Sequence, residues 1–346
     1  MPRSSSRIAI VGCGAVGGFY GLMLARAGLE VHFLLRSEYQ TVAKQGLLVR
    51  SKIHGDLRLE MVNAYHSVHD MPLCDWLLVG AKATSNADLA PLIAKAAAPG
   101  ARILVLQNGL GIEDQLRPLL PAHLHLIGGL CWVGVQRQAP GVIDHIALGH
   151  VQLGYHSGPA NELMLQLAIL ESGVSLFETA GIKARATQDL AQARWNKLVW
   201  NIPYNGLSVL LGSGTKGLTG NPDSRQLIHA IMHEVMVGAT ACGHSLPDEL
   251  ADQMIALTDS IDDYLPSMYL DNAQRRPMEL DALYGVPLDA ARKAGCSMPK
   301  VQALYHALRF MEARNASQPV ALDSVATTAN GRVASGRKTG GPENAR

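Results

Sequence analysis

Short apolar runs alternate with longer helix-like stretches through the first half of the chain. The runs that predict strands lie at Arg7–Val11, Glu30–Leu35, Trp76–Val79 and Arg102–Leu106. Helix-like stretches lie between them, at Ala15–Ala27 and at the Ala-rich segment Asn86–Ala98. Strands that are apolar throughout are typical of a parallel sheet with helices on both faces. The alternation therefore predicts an α/β fold whose first domain is a doubly wound, Rossmann-type sheet.

The pattern changes between Leu124 and Leu153, where the β-like pieces are short. They are interrupted by Gly128-Gly129, Pro140-Gly141 and Gly149. Glycine and proline mark turns and breaks in a strand pattern. We therefore expect several short extra strands that complete the first domain.

Helical spacing dominates the second half of the chain. It is present in Asp189–Leu211, Arg225–Gly243, Pro247–Thr258 and Pro299–Arg314. We predict three parts: an N-terminal domain over residues 1–186, a mostly α-helical domain over residues 187–314, and a polar tail over residues 315–346. The tail is rich in Ser, Thr, Gly, Ala and charged residues, a composition typical of disorder.

One predicted helix combines an apolar composition with a stripe of polar residues. Lys197, Asn201 and Asn205 follow one another at intervals of four residues, among large apolar side chains. Residues four apart lie on one face of a helix. Such a stripe is costly on a buried helix unless it faces a wet cleft or has partners, and the alternative is a solvated surface helix. Pro203 falls within the stripe, and we expect it to kink or end the helix.

A glycine-rich sequence follows the first predicted strand and opens the first predicted helix. It reads G-x-G-x-x-G and consists of Gly12, Cys13, Gly14, Ala15, Val16 and Gly17. In a βαβ unit this pattern is typical of dinucleotide binding. Gly12 allows the tight turn, Gly14 lets the backbone approach a pyrophosphate, and Gly17 lets the helix pack on the strand. The free N–H groups of the helix N-terminus would face the phosphates.

The end of the second predicted strand indicates which dinucleotide binds. Sites for NAD and FAD usually place an acidic residue there, on the ribose hydroxyls. Here the strand ends in Arg36, which suits a 2′-phosphate, whereas Glu30 stands at the opposite end of the strand. We therefore favour NADP. Glu38 lies close to Arg36 in the sequence, so NAD remains an alternative cofactor.

The lysine of the polar stripe is a candidate proton donor. Desolvation beside a cofactor cleft lowers the pKa of a lysine and lets it donate a proton near neutral pH. Reduction of a carbonyl needs such a donor, because hydride arrives at carbon and a proton must reach the oxygen. Lys197 is therefore a candidate for such a proton donor.

Composition narrows the range of functions further. The 346 residues carry 30 Lys and Arg against 29 Asp and Glu, so no excess of basic residues indicates nucleic-acid binding. No apolar run reaches the ~18 residues of a membrane span. The five cysteines are widely spaced, which favours reduced thiols and a cytoplasmic protein over a disulfide framework. The histidines form no metal-ligand pattern, and we predict no metal.

Together these segments resemble the ketopantoate reductase (2-dehydropantoate 2-reductase) family. The resemblance covers roughly residues 8–311, and it is carried by the order and spacing of its parts rather than by any single motif. Besides the glycine loop and the polar stripe, the parts are Lys82 in Val79-Gly-Ala-Lys82, Asn108 in Gln107-Asn-Gly-Leu-Gly111, Ser267-Met268, and Arg276-Pro-Met-Glu279-Leu-Asp281.

The resemblance implies NADPH-dependent reduction of a 2-oxo acid, namely ketopantoate, to a 2-hydroxy acid in pantothenate biosynthesis. It implies that Lys197 is the general acid and that Glu279 orients it near the substrate. It also implies that Asn201, Asn205 and Ser267 hold the substrate. Asn108 would then lie between nicotinamide and substrate, and Lys82 would line the cofactor site.

The sequence departs from the family pattern at two places near the expected substrate pocket. Asn205-Gly-Leu-Ser208 stands where the family often has Asn-Pro-Leu-Thr, and Met278 stands where threonine is commoner. These departures keep open a related reductase of another small 2-oxo acid. A non-catalytic dinucleotide-binding sensor and a flavoprotein are further alternatives. The apolar content of the helical half suggests a homodimer.

Overall fold

The computed structural model describes residues 6–317, which form a ten-stranded sheet followed by a helical region. The strands are β1 (Arg7–Val11), β2 (Glu30–Leu34), β3 (Leu47–Ser51), β4 (Gly55–Leu59), β5 (Asn63–Tyr65), β6 (Cys74–Val79), β7 (Ala97–Val105), β8 (His125–Ala139), β9 (Val142–Ser157) and β10 (Ala184–Thr187). The helices are α1 (Ala15–Arg26), α2 (Tyr39–Gln45), α3 (Asn86–Ala96), α4 (Ile112–Leu116), α5 (Leu163–Thr179), α6 (Leu190–Leu211), α7 (Thr215–Gly220), α8 (Pro222–Ala241), α9 (Leu250–Ser260), α10 (Ser267–Ala273), α11 (Val286–Lys293) and α12 (Pro299–Ser317).

The sheet has the parallel core that the apolar runs predict. Its order is β4-β3-β9-β8-β7-β6-β1-β2-β5, with β10 beside β9. The strands from β8 through β5 in this order pair in parallel. Buried apolar residues form separate clusters on the two faces of the sheet and a third in the helical region. The α/β fold class, with a Rossmann-type sheet and a mostly helical C-terminal part, is confirmed.

The prediction of several short strands between Leu124 and Leu153 is wrong. Two long antiparallel strands, β8 and β9, occupy this region. Gly128 and Gly129 lie inside β8, where a Cβ would come within 2.5 Å of Glu113 Oε1 and 2.7 Å of Leu106 Cδ2, respectively. Close packing, rather than a turn, therefore requires glycine there. Gly149, with φ of +133°, belongs to a bulge that β9 continues through.

Several elements have no counterpart in the sequence prediction. Among them are the antiparallel pair β3 and β4, the short strand β5, and the helix α5. α5 carries exposed apolar side chains at its start, including Met164, so its sequence lacks a simple alternation between a buried and a polar face. The hydrophobic pattern alone therefore gave no clear helix signal there.

The helix α6 carries the polar stripe and runs through the core of the helical region. Asp189 caps its start, where the side chain accepts a hydrogen bond from the backbone N–H of Gln192 at 2.7 Å. It ends at Gly212, which has φ of +64°. The prediction that Pro203 could end the helix is wrong, because α6 continues for two further turns past it. Burial of the side chains around Pro203 offsets the backbone hydrogen bond that proline cannot donate.

The helical region follows the last strand of the sheet directly in the chain. β10 ends at Thr187 and α6 begins at Leu190, beside the predicted boundary between residues 186 and 187. The predicted tail begins inside α12, which extends to Ser317, and residues 318–346 lie outside the described residues.

Candidate active site

The glycine loop lies between β1 and α1 and brings backbone into close contact. Gly12 has φ of +90°, and a Cβ there would lie 2.4 Å from Ala81 N. A Cβ on Gly17 would lie 2.3 Å from Gly12 O, so only glycine lets α1 approach the loop this closely. Gly14 differs from both, because no atom lies within 4 Å of its Cβ position. Gly14 is also the N-cap of α1, so open space lies beside free helix N–H groups, which fits a pyrophosphate.

Arg36 and Glu38, the two residues that bear on the choice of dinucleotide, have different environments. Arg36 is exposed just beyond the end of β2. Glu38 is buried, and its carboxylate accepts hydrogen bonds from the Arg137 guanidinium and from the backbone N–H of Gly141. Glu38 is therefore engaged by β8 and the turn after it, whereas Arg36 faces solvent with its charge available to a 2′-phosphate.

Lys82 and Asn108 follow the adjacent strands β6 and β7. The carboxyl ends of parallel strands share one edge of a sheet, which is where open α/β sheets bind ligands. Lys82 forms an ion pair with Asp271 of α10 and donates a hydrogen bond to Pro277 O at 3.4 Å. In the structure Lys82 therefore links the sheet to the helical region, beside the position that we expect for the cofactor.

Lys197 lies at the centre of the site. It is buried, and its ammonium donates hydrogen bonds to Asn108 Oδ1 at 2.7 Å and to Cys131 O at 2.6 Å. Burial lowers the pKa of Lys197 from its usual value to about 8, with a further lowering from the positive charge of Arg194. Cys131 and Glu279 act in the opposite direction. This lysine can therefore release a proton near neutral pH.

A cavity opens beside Lys197, between β8, β9 and the helices. Its polar wall consists of Asn108, Lys197, Asn201, Asn205 and Ser267. Its apolar wall consists of Trp132, Val133, Leu148, Trp200, Leu257 and Ile261. The stripe of α6 therefore faces a cleft, and the alternative of a solvated surface helix is wrong.

Asn205 is partly engaged by the protein itself. Its Nδ2 donates to Asn201 O at 3.0 Å, and its Oδ1 accepts from the backbone N–H of Met268 at 3.3 Å. The second bond fixes the first turn of α10, where Ser267 lines the cavity. One N–H of the amide remains for a substrate oxygen.

Glu279 lies buried between the sheet and the helical region. Its Oε1 accepts a hydrogen bond from the backbone N–H of Ala83 at 3.3 Å. Burial raises the pKa of this carboxyl, and the positive charges of Lys82 and Lys197 oppose the rise. The structure therefore places Glu279 within electrostatic reach of the candidate acid, without a direct hydrogen bond between them.

The departures from the family pattern lie mostly away from the cavity. Met278 is buried in the core of the helical region. A Cβ on Gly206 would meet Leu304 Cδ2 at 2.6 Å and Tyr284 Oη at 2.7 Å, so this glycine serves helix packing. Only Asn205 of the altered segment lines the cavity. These departures therefore give little support to a change of substrate.

Sequence reasoning missed the part of the site that β8 and β9 supply. The carbonyl of Cys131 binds the ammonium of Lys197, and Trp132, Val133 and Leu148 form the apolar wall. Every residue has a backbone carbonyl, so no sequence motif could have identified this one as a partner of Lys197. Trp132 could have been noticed as a large aromatic residue beside a predicted strand break.

Other kinds of site find no support in the described part of the chain. Within residues 6–317, no group of His, Cys, Asp and Glu side chains is arranged to hold a metal ion. In the same range, no helix combines the length and apolarity required to cross a membrane. The five cysteines, all of which lie in this range, form no disulfide.

Comparison with known proteins gives a consistent family. The model of ketopantoate reductase PanE/ApbA matches residues 8–158, and the model of its C-terminal domain matches residues 189–312. The 2-dehydropantoate 2-reductase of Nostoc sp. is 41% identical over 92% of this chain and 99% of its own length.

Solved structures agree with the sequence matches. The crystal structure of 2-dehydropantoate 2-reductase from Geobacter metallireducens has a TM-score of 0.80 and 38% identity, covering 88% of this chain and 99% of its own. A dimeric ketopantoate reductase from Staphylococcus aureus has the same fold, with a TM-score of 0.73 and 18% identity over 89% of this chain and 99% of its own. On the evidence of both matched models and these relatives, the chain belongs to the ketopantoate reductase PanE/ApbA family.

Proposed function

We propose that the protein reduces 2-dehydropantoate (ketopantoate) to pantoate with NADPH, as a step of pantothenate biosynthesis. The observation that carries the proposal is the environment of Lys197. Its ammonium is buried, has a pKa of about 8, and lies between Asn108 and Cys131 at the wall of a cavity. The cavity adjoins the edge of the sheet where the glycine loop offers a dinucleotide site.

The reaction divides between the cofactor and the residues of the chain. NADPH, when bound, supplies a hydride to C2 of the 2-oxo acid. Lys197 gives a proton to the carbonyl oxygen, which completes the alcohol, and then regains a proton from solvent. The positive charge of Lys197 also stabilises the oxygen as negative charge develops on it. Glu279 is buried and does not contact Lys197 through a hydrogen bond. Its negative charge favours the charged form of the lysine.

The two walls of the cavity match the two ends of the substrate. Amide and hydroxyl groups of Asn201, Asn205 and Ser267 suit the carboxylate and hydroxyl oxygens of ketopantoate. Trp132, Val133, Leu148, Leu257 and Ile261 suit its branched, apolar carbon. A smaller 2-oxo acid would leave this apolar wall without a partner.

The experiment is a comparison of 2-oxo acids in the purified protein, followed by the loss of NADPH absorbance. We expect turnover with ketopantoate and NADPH to exceed that with pyruvate, 2-oxoisovalerate or NADH. Preference for another 2-oxo acid would support the related-reductase alternative. NADPH binding without turnover on any acid would support the sensor, and a coloured protein would support the flavoprotein.

The assembly and the location of the protein are further proposals. Apolar side chains of the helical region are exposed at Leu210, Leu211, Leu227 and Val237. We propose that they contribute to a homodimer, which light scattering after gel filtration would test. We also place the protein in the cytoplasm, in agreement with its five unpaired thiols.

A further inference from the structure

A buried ion pair joins α6 to the sheet behind the active site. Arg194 and Glu113 are each 3% exposed, and the Arg194 guanidinium donates to Glu113 Oε1. Glu113 lies on α4, which follows the loop that carries Asn108. A buried ion pair is weak evidence for stability, because removing both charges from water costs about as much as their attraction returns. This pair therefore calls for a role besides holding the fold together.

The second contact of Arg194 reaches the loop that carries Asn108. Its Nη1 donates to Gln107 O at 2.6 Å. The side chain of Gln107 in turn donates to Ala81 O at 2.8 Å and to Asn86 Oδ1 at 2.7 Å. Arg194 thus anchors a network that ties together the loops after β6 and β7.

Arg194 and Lys197 are three residues apart on α6, so both project toward the same side of the helix. The guanidinium holds Gln107, and the ammonium binds the side chain of the next residue, Asn108, at 2.7 Å. Two side chains of α6 therefore donate hydrogen bonds to two consecutive residues of one loop, Gln107 and Asn108. Movement of the Arg194 side chain would change the distance between the proton donor and Asn108.

The charge of Arg194 also acts on the lysine. Lys197 is faced by Cys131 from β8, by Glu279 from the segment after α10, and by His150 from β9, besides Arg194 on its own helix. Among these, Cys131 and Glu279 raise the pKa of Lys197, whereas Arg194 lowers it. Loss of the guanidinium charge is therefore expected to move the pKa upward.

We propose that Arg194, held by Glu113, is a positioning residue that fixes Gln107–Asn108 against the ammonium of Lys197. The inference rests on the proposed function, because it assigns Lys197 as the acid. It extends that function to two residues that do not line the cavity beside Lys197.

The test compares three variants with the parent protein. Arg194→Met combined with Glu113→Gln removes both charges, which avoids a buried unpaired charge. We expect a fall in kcat on the order of tenfold or more, from the loss of a fixed geometry, with the KM for NADPH within about threefold. We also expect the basic limb of the kcat profile to move to higher pH.

Arg194→Lys separates geometry from charge. Lysine keeps the positive charge but lacks the planar fork that reaches Gln107 O and Glu113 together. We expect the basic limb to stay near that of the parent, while kcat remains low. A merely structural role would lower kcat in both variants and leave the basic limb unmoved in both.

Glu234→Gln is the matched control for lost stability. Glu234 is also buried, in the helical region, where it accepts a hydrogen bond from the N–H of Val301 at 2.8 Å. We expect a lower melting temperature and an unchanged pH profile. Parental kcat and an unshifted basic limb in the double variant would overturn the inference.

A titration without turnover keeps this inference separate from the proposed function. The Cε resonance of Lys197 in protein labelled with ¹³C-lysine, assigned by its absence in Lys197→Ala, reports the pKa directly. A parent that fails to reduce ketopantoate refutes the proposed function alone. A Lys197 pKa that does not rise in the double variant contradicts the expected effect of the Arg194 charge on the lysine, and an unchanged kcat there contradicts the positioning role.

Discussion

The glycine loop and the polar stripe of α6 build their parts of the site in opposite ways. The loop works through absent side chains, since Gly12 and Gly17 have no room for a Cβ and Gly14 leaves an open face. The stripe works through side chains that are present and buried, with Lys197 at its centre. The comparison teaches that shape controls the proposed cofactor end of the site, whereas desolvation and charge control the proposed chemical end. Variants in the two regions should therefore fail in different measurements.

The largest effect is expected at the chemical end. Lys197→Ala removes the proton donor, and kcat should fall on the order of 10²-fold or more. Binding of NADPH, measured by fluorescence, should change little, because the loop remains intact. A variant that turns over like its parent would contradict the role of Lys197 and remove the contrast between the two regions.

The next largest effect is expected at the cofactor end, and it tests whether Gly14 borders the pyrophosphate. Gly14→Ala places a methyl group where the protein leaves open space, so it should meet the bound pyrophosphate rather than the protein. We expect NADPH binding to weaken by about 2 kcal/mol, on the order of 30-fold, from overpacking. The loss of stability should not exceed about 1 kcal/mol, which is the N-cap preference for glycine over alanine.

Gly28→Ala is the matched control for this variant. Gly28 follows α1, has φ of +85°, and has no atom within 4 Å of its Cβ position. Alanine there should lower stability by about 1–2 kcal/mol through backbone strain and leave NADPH binding unchanged. Equal NADPH affinities of the Gly14 and Gly28 variants would show that Gly14 does not border the cofactor.

A smaller effect is expected from Arg36→Ala, which tests charge at the cofactor end. Loss of a charged partner for the 2′-phosphate should raise the KM for NADPH about tenfold, because Arg36 is exposed and its contact is screened. The KM for NADH should stay within about twofold, since NADH lacks that phosphate. Equal changes for both cofactors would remove the phosphate role of Arg36.

The sequence predicted the fold and the position of the glycine loop well because both depend on local patterns. Apolar runs gave the strands β1, β2, β6 and β7, and the spacing of Gly12, Gly14 and Gly17 gave the loop between β1 and α1. The long hairpin of β8 and β9 was missed because glycine was taken as a break. At Gly129 the missing side chain instead leaves room for the side chain of Leu106 to pack against β8.

The chemical end depends on contacts that no local pattern contains. Lys197 and Asn108 are 89 positions apart, and their hydrogen bond could be expected only from a resemblance. The carbonyl of Cys131 and the ion pair of Arg194 with Glu113 gave no signal at all. The stripe on α6 indicated a cleft, but only the folded chain shows what lines it.

The most direct test of the central claim, that buried Lys197 is the proton donor, is the pH dependence of kcat/KM for ketopantoate reduction. The donor must be protonated, so the rate should be constant at low pH and fall as pH rises through the lowered pKa of Lys197, about 8. The reverse oxidation of pantoate requires the neutral amine and should rise over the same range. A reduction rate that stays constant to well above pH ~10, the usual range of a lysine, would contradict the account.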